Sequence, residues 1–595
     1  MVRIIRICRI IWCIEPKKFS KLKICFQKKV MIVHLSKYSV KQSKNTFRYC
    51  IRAFLVLFVL ALSTSKMLFS FSGSYLIATQ AAKNNDFSKA ARSYNQLIQL
   101  GEKDSKLIKD ALIFSVVSSN LEEAILIATH LDTVEQKEPA AGFVLLANAI
   151  ARDELNLAKS ILYEYSDFFP EFLTKLVEGW VDVSDGNLDL GVEKFLALDG
   201  KIKNVGFRNA ALAFAMEKEY SMALAFLNSL ESPRLLIDDR QVLAEAQIYS
   251  KNQQNGKALA LLKRQQTNNH SFLLSKAMTR LENGEYLDFD SFTSVASGIA
   301  DTFFLMGNAS RTSTENYLPS IFYITLAEFI AKEKGFYSVR LGEEFASLGS
   351  AQLALKKFNL VLREDQNYLS AQLGLIDFLI QQGKHEDAIK KLKELIAIGN
   401  NEYVVYDTLA DVYRIEKQYE NAVFYYDRAI EIISDKGLKN KWTPYFLRGI
   451  AQDQSGNWEA AKTDLYKALE LSSENPEVLN YLGYSLIERR EKLIEALRMI
   501  ENAVSQKPES GYIVDSLAWC LFRLGRYNEA VVPMERAIEL EPTDPIVNDH
   551  LGDVLWMVGR KREAKFQWNK ALLFGPTLEN SQKIKYKLEN GISDL

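Results

Sequence analysis

The chain has 595 residues of ordinary soluble composition, 48% hydrophobic and 25% charged, with 74 basic and 74 acidic side chains. That length is too great for one compact core, whereas a repeat array escapes the limit because each unit needs only its neighbours. The zero net charge hides two pieces, since residues 1–52 carry 14 Lys/Arg against Glu15 alone and the remainder is left with a net charge of −13.

The basic piece comes first. It holds four of the five cysteines (Cys8, Cys13, Cys25 and Cys50), so Cys520 has no partner for a disulfide in the rest of the chain. That fits a reducing compartment, or an envelope protein held together by helix packing. Cys520, beside Trp519, reads as buried filler and not as a reactive thiol. Residues 53–62, AFLVLFVLAL, follow Arg52 and are too few to span a bilayer, but they suit the apolar core of a secretory signal. Ala61 and Ser63 place small residues for cleavage after Ser63, and no Cys follows to accept a lipid. A start at Met31 would give a leader of more normal length than Met1. Three rivals compete with export. An uncleaved anchor would hold the chain at a membrane through 53–62, but Lys66 interrupts it. An organelle transit peptide fits the basic composition but not the concentrated apolar run. A nucleic-acid tail fits the charge, yet no helical or aromatic pattern accompanies it to read bases. Residues 1–63 are therefore expected to be a leader, with no nucleic-acid partner.

Beyond it, small residues recur at a period near 34. Ala90, Ala124 and Ala158 are 34 apart, giving units at 71–104, 105–138 and 139–172, and Gly191, Ala223 and Ala258 follow more loosely. Residues 64–270 thus read as a degenerate array. Residues 271–334 break the period, because Ala258 and Ala354 are 96 apart. Helices are expected near 273–282 and 317–333, joined by the loop-rich DFDSFTSVASG and GNASRTSTEN. This irregular segment reads equally as a joint between two arrays and as two drifted repeats. From 335 to 578 the array is regular, with units starting near 335, 369, 403, 442, 476, 511 and 545. Ala354, Ala388, Ala422, Ala461, Ala496, Ala530 and Ala564 mark them. Residues 579–595 begin ENSQKIKYKLENGI, an amphipathic Lys-rich helix suited to capping an array.

The pattern is clearest in its last two copies, GYIVDSLAWCLFRLGRYNEAVVPMERAIELEPTD at 511–544 and PIVNDHLGDVLWMVGRKREAKFQWNKALLFGPTL at 545–578. Leu517 and Leu551, Gly525 and Gly559, Ala530 and Ala564, and Pro542 and Pro576 each stand 34 apart. Small residues at unit positions 8, 20 and 27 allow close helix approach. Large apolar ones at 7, 11 and 24 fill the gaps, while Gly and Pro punctuate the helix ends. This chain resembles the tetratricopeptide-repeat family, and NYLGYSL, DSLAW, NDHLGD and VGRKREA are similar to repeats of bacterial envelope-associated members. The resemblance implies an all-α, right-handed superhelical solenoid of helix hairpins, in which 271–334 stays open as a joint between two arrays or as drifted repeats.

No catalytic signature accompanies it. The five histidines are scattered, and no HExxH, Walker loop, GxGxxG after a strand, GxSxG or CxxC is present. The chain is therefore read as a non-enzyme without cofactor or metal. In the family, unit positions 2, 5, 9, 12 and 13 of each first helix line a binding groove. Carried over, these are Leu373 and Asp377, then Asp407, Asp411 and Arg414, then Phe446 and Asp453. Asn480 and Tyr484 follow, and Tyr512, Asp515, Trp519, Phe522, Asp549, Asp553 and Trp556 complete the set. The lining is acidic and aromatic, and is expected to bind protein segments bearing Lys/Arg and an apolar side chain. The competing expectation is that Trp519 and Trp556 pack between units while the aspartates only solubilise the face. The resemblance implies an exported scaffold of the periplasm or cell envelope; the alternative is a cytoplasmic regulatory or co-chaperone-like adaptor.

Overall fold

Small side chains decide where the helices of this chain meet. The computed structural model describes residues 73–592, apart from 102–103, 134–136, 231–237, 267–270, 312–316, 437 and 439–440, and the backbone of two strands nearer the N-terminus. These strands, Lys23–Phe26 and Lys29–Ile32, pair antiparallel with Lys23 opposite Ile32. The rest of the leader, including the apolar run 53–62 and the expected cleavage point, lies outside the described residues. Among the described residues, no helix is long and apolar enough to cross a membrane. From residue 73 onward the fold is helical, and successive helices pair as hairpins.

The chain divides into two compact units, residues 1–141 and 142–595. In the first, helices 73–83, Phe87–Gln99, Ser105–Val117 and Leu121–Asp132 follow one another. Asp86 and Asp104 cap two of them by accepting backbone N–H bonds. Tyr94 stacks on Phe114 at 5.5 Å, and buried Asn95 donates to the Ser115 hydroxyl at 3.2 Å.

In the second unit, the regular hairpins begin with helices at Gly335, Tyr368, Tyr403, Thr443, Pro476, Gly511 and Pro545. The helix Leu578–Asn590 closes the series. All seven alanines at unit position 20, Ala354 through Ala564, are 0% exposed. At position 8 the approach is closer still. A Cβ on Gly552 would stand 2.4 Å from the Trp568 ring, and one on Gly342 2.6 Å from Phe358. The turn between the two helices is left-handed, with Gly525 and Gly559 at φ 75° and 85°, but Lys417 and Arg490 hold the same place at 58° and 57°. A side chain there costs on the order of 1–2 kcal/mol, so packing on either side must hold these two turns.

Residues 271–334 form helix Phe272–Glu282 and a hairpin of Val295–Ala309 with Leu318–Ile330. This hairpin reaches far back along the chain. Gly298 lies under Trp180 of helix Glu171–Ser184, so close that an added Cβ would be 2.2 Å from the ring. Phe143 meets Phe303 and Tyr323 edge-on at 6.3 and 5.1 Å. Asp301 accepts from buried Arg240 at 2.8 Å and from Gln241 at 2.7 Å. Nearby, Arg208 and Glu245 form another buried pair at 2.7 Å. Buried pairs of this kind are expensive to break, so the hairpin is tied to the helices it covers. Part of the first-helix surface between 171 and 251 is thus occupied by the chain's own later residues.

Gly298→Val is expected to lower unfolding stability by about 1–3 kcal/mol through overpacking against Trp180. Gly256→Ala, which enters open space, should stay within about 0.5 kcal/mol of the parent. Denaturant titration of both variants checks this, and equal midpoints would contradict the Gly298–Trp180 packing.

Candidate functional site

Eleven of the sixteen side chains read from sequence as groove lining lie on the first helices of four units, and their surroundings differ. On helix Tyr403–Ile415, Asp407 is half-buried, and its Oδ1 has no hydrogen-bond partner among the described residues. Burial, followed by the charge of Asp411, pushes the Asp407 carboxyl up to about 7 against the pull of Arg414 and Lys441. Asp411 is committed within its own unit, accepting from the Tyr426 hydroxyl at 2.5 Å and from Arg414 at 3.2 Å.

Helix Pro476–Glu488 carries Asn480 and Tyr484. Asn480 is buried with its Oδ1 unpartnered among the described residues, while Tyr484 is half-buried, its phenol raised chiefly by burial. One unit on, Tyr512 is 48% exposed and its hydroxyl bonds to Glu477.

Asp515, Trp519 and Phe522, on helix Gly511–Arg523, are buried. The Trp519 ring lies between Phe522 at 4.9 Å and His550 at 4.0 Å, nearly parallel to both. Its indole N–H donates to Glu488 at 2.6 Å. His550 Nδ1 stands 3.0 Å from each Asp515 oxygen. Burial pulls the imidazolium pKa down, but Asp515, by charge and hydrogen bond, and then Asp553 and Asp549 outweigh it, leaving His550 raised.

In the last unit, Asp549 and Asp553 converge on one cation, Lys587 of the closing helix. Its ammonium donates to Asp549 at 2.9 and 3.0 Å and to Asp553 at 2.7 Å. Asp553 also accepts the Trp568 N–H at 2.9 Å. Burial lifts the Asp553 carboxyl to about 6 although Lys587 opposes the shift. Trp556 is half-buried, 5.3 Å from Trp568, with Lys561 at 5.0 Å from its ring and Gly591 against its edge.

Asp411, Asp515, Trp519, Phe522 and Asp553 are therefore engaged in packing, hydrogen bonds and ion pairs within the chain. Asp407, Asn480, Tyr484, Tyr512, Asp549 and Trp556 keep either exposed surface or an unpartnered acceptor. Among the described residues, no group of three or more His, Cys, Asp or Glu could hold a metal ion. Cys520 is buried, and burial chiefly pushes its thiol up to about 12, far from a reactive thiolate.

Tetratricopeptide-repeat family models match residues 339–403, 403–436 and 515–544. The chain contains tetratricopeptide repeats. A TPR repeat-containing protein of Pseudomonas aeruginosa is 27% identical over 167 residues. The match covers 28% of this chain and only 27% of that relative. Among solved structures, YrrB, described as a TPR protein with an unusual peptide-binding site, is 21% identical over 33% of this chain and 97% of its own, with a TM-score of 0.26. The APC/C hetero-tetramer Cut9–Hcn1 gives 14% identity, 88% and 96% coverage and a TM-score of 0.38.

Sequence reading passed over two residues that organise the end of this tetratricopeptide array. His550 occupies unit position 6, outside the groove set, and looked like one scattered histidine among five. Lys587 sits in a helix that lacks the repeat pattern, so no period aligned it with Asp549 and Asp553. The available signal was the cluster of carboxylates, which demands a compensating cation if buried.

His550→Ala removes one partner of a buried pair and a ring from the stack, and should cost about 3 kcal/mol. Because its folded pKa lies above the ordinary 6.5, the stabilisation is full below that value and is lost as pH rises through the folded pKa. Tm measured between pH 5.5 and 9 should fall across this window, and His550→Ala should flatten the fall. An identical slope in the variant would assign the pH dependence elsewhere.

Proposed function

We propose that this protein is a non-enzymatic scaffold that holds segments of partner proteins on the first-helix faces of its C-terminal units, and that it is exported to a bacterial envelope. Its repeat fold is one that serves protein–protein interaction. The observation that carries the binding reading is Asp407, a half-buried groove carboxylate pushed up to about 7 with one oxygen unpartnered among the described residues. A lysine or arginine side chain from a partner would supply the missing donor and offset the burial that disfavours its ionised form. Asn480 offers a second unpartnered acceptor at the same unit position. Lys587 between Asp549 and Asp553 is an intramolecular instance of the same chemistry. Tyr484, Tyr512 and Trp556 add aromatic surface of the type that anchors interfaces. Export rests on the signal-like run 53–62 and the small residues that follow it.

A fluorescently labelled peptide alternating Arg and Phe should bind the full chain, and more weakly as salt increases. Affinity should rise between pH 6 and 8 as Asp407 ionises. Asp407→Asn should weaken binding about 5- to 10-fold, on the order of 1 kcal/mol, and abolish that rise. Preference for a Glu-containing counterpart, or indifference to both salt and Asp407→Asn, overturns the binding reading. For export, N-terminal sequencing of protein from cell fractions should find a mature end at Thr64. A chain that keeps Met1 or Met31 in the cytosolic fraction would instead support a cytoplasmic adaptor.

A further inference from the structure

A cleft of about 520 Å³ lies at the start of the regular array. Helix Gly335–Ser347 contributes Phe336, Arg340 and Glu343 to it, and helix Tyr368–Gln381 contributes Leu373 and Asp377. Phe336, Glu343, Leu373 and Asp377 occupy groove positions 2, 9, 5 and 9 of their units. The opposite wall comes from outside the array, from Asp239 and from Phe272 and Leu273. Two adjacent repeats alone would leave an open channel here; the extra wall turns it into a cleft of the size that binds ligands.

That far wall is held in place. Arg240, the neighbour of Asp239, is buried, pairs with Asp301 at 2.8 Å and lies 5.0 Å from the Tyr337 ring. Tyr337 follows Phe336 directly, so one buried cation ties both walls together. The cleft is accordingly formed before any ligand arrives, which reduces the ordering cost of binding.

Its chemistry is mixed in a specific way. Phe336, Leu373, Phe272 and Leu273 are each half-buried, leaving an apolar bed with surface to spare. Around it stand three carboxylates, Asp239, Glu343 and Asp377, against one guanidinium. Arg340 is already engaged, with Glu343 at 2.7 Å and with Glu344 at 3.7 Å. Among the described residues, Asp239 and Asp377 receive only neutral amide donors, Gln265 at 3.2 Å and Gln381 at 2.8 Å. Three carboxylates against one guanidinium leave negative charge that the lining side chains do not balance; the partial desolvation that raises Glu343 and Asp377 is a cost that a partner's cation would offset.

We propose that this cleft seats a segment of a partner protein in which a lysine or arginine adjoins a bulky apolar side chain, the cation meeting Asp239 and Asp377 and the apolar group resting on Phe336 and Leu373. This rests on the scaffold reading above and assigns it a second seat, closed by the irregular segment and separate from Asp407. An acidic segment would meet net repulsion, and a polyamine would leave the apolar bed uncovered.

The test uses the full chain, the same labelled Arg/Phe peptide, and the variants Glu343→Gln/Asp377→Asn and Leu373→Ser. Unchanged Tm values confirm that each variant is folded; should Leu373→Ser melt early, the carboxylate variant alone decides, since both its positions are on the surface. Titration calorimetry should give two peptides per chain; the carboxylate variant should weaken one of the two steps at least 10-fold and Leu373→Ser the same step about 5-fold, the other step staying as in the parent, and spermidine at equal concentration should not displace the peptide. Parent-like binding by the carboxylate variant overturns the cleft. So does displacement by spermidine, which would mark a site for small cations. If Asp407→Asn weakens binding while the carboxylate variant does not, the scaffold reading stands and the cleft falls. Indifference to both sets removes both.

Discussion

Contact between helix backbones at positions that exclude a large side chain is the constraint on which this fold depends. Each hairpin closes where an alanine with no exposed surface, such as Ala530 or Ala564, meets the facing helix. Gly342 and Gly552 leave room for the Phe358 and Trp568 rings to lie across the backbone. Because the small residue and the ring belong to the same unit, the geometry is local and can be repeated. The costs of the left-handed turns at Lys417 and Arg490 are borne for the same reason, since the turn must deliver the second helix onto the first at that distance.

A second level of organisation is not local. The hairpin of Val295–Ala309 with Leu318–Ile330 contacts a helix more than one hundred residues earlier, through Gly298 on Trp180, and its Asp301 pairs with Arg240 about sixty residues before it. Charged groups buried this deeply are tolerated only as pairs, so Arg208–Glu245 and Arg240–Asp301 act as specific fastenings. The same fastening that covers part of one first-helix surface builds the far wall of the cleft at the next. Closing one stretch of groove and shaping another are consequences of a single packing event.

Charge follows a similar division of labour. At the end of the array the carboxylates are matched within the chain, Asp515 by His550, and Asp549 and Asp553 by Lys587. Towards its start the matching is incomplete, at Asp377 and at Asp407. A face that neutralises itself contributes to stability, while a face that does not is left with an electrostatic demand that a partner can meet. The seven groove aspartates therefore do not form one uniform surface.

The period of 34, the small residues at positions 8 and 20 and the punctuating glycines were enough to read the helical-hairpin fold and the family, because each of these signals reports a contact made within about 30 residues. The groove positions were also legible as places on a helix, since they follow from the unit register. What only the tertiary structure decided was which of them have surroundings already satisfied. Trp519 looks the same in sequence whether it faces solvent or lies stacked on His550, and Asp553 does not announce that Lys587 will reach it from a helix without the repeat pattern. Those facts depend on elements brought together across units, and in the case of Gly298 and Trp180 across more than a hundred residues. Periodicity records how a chain packs on its immediate neighbours; it carries no information about a contact made once.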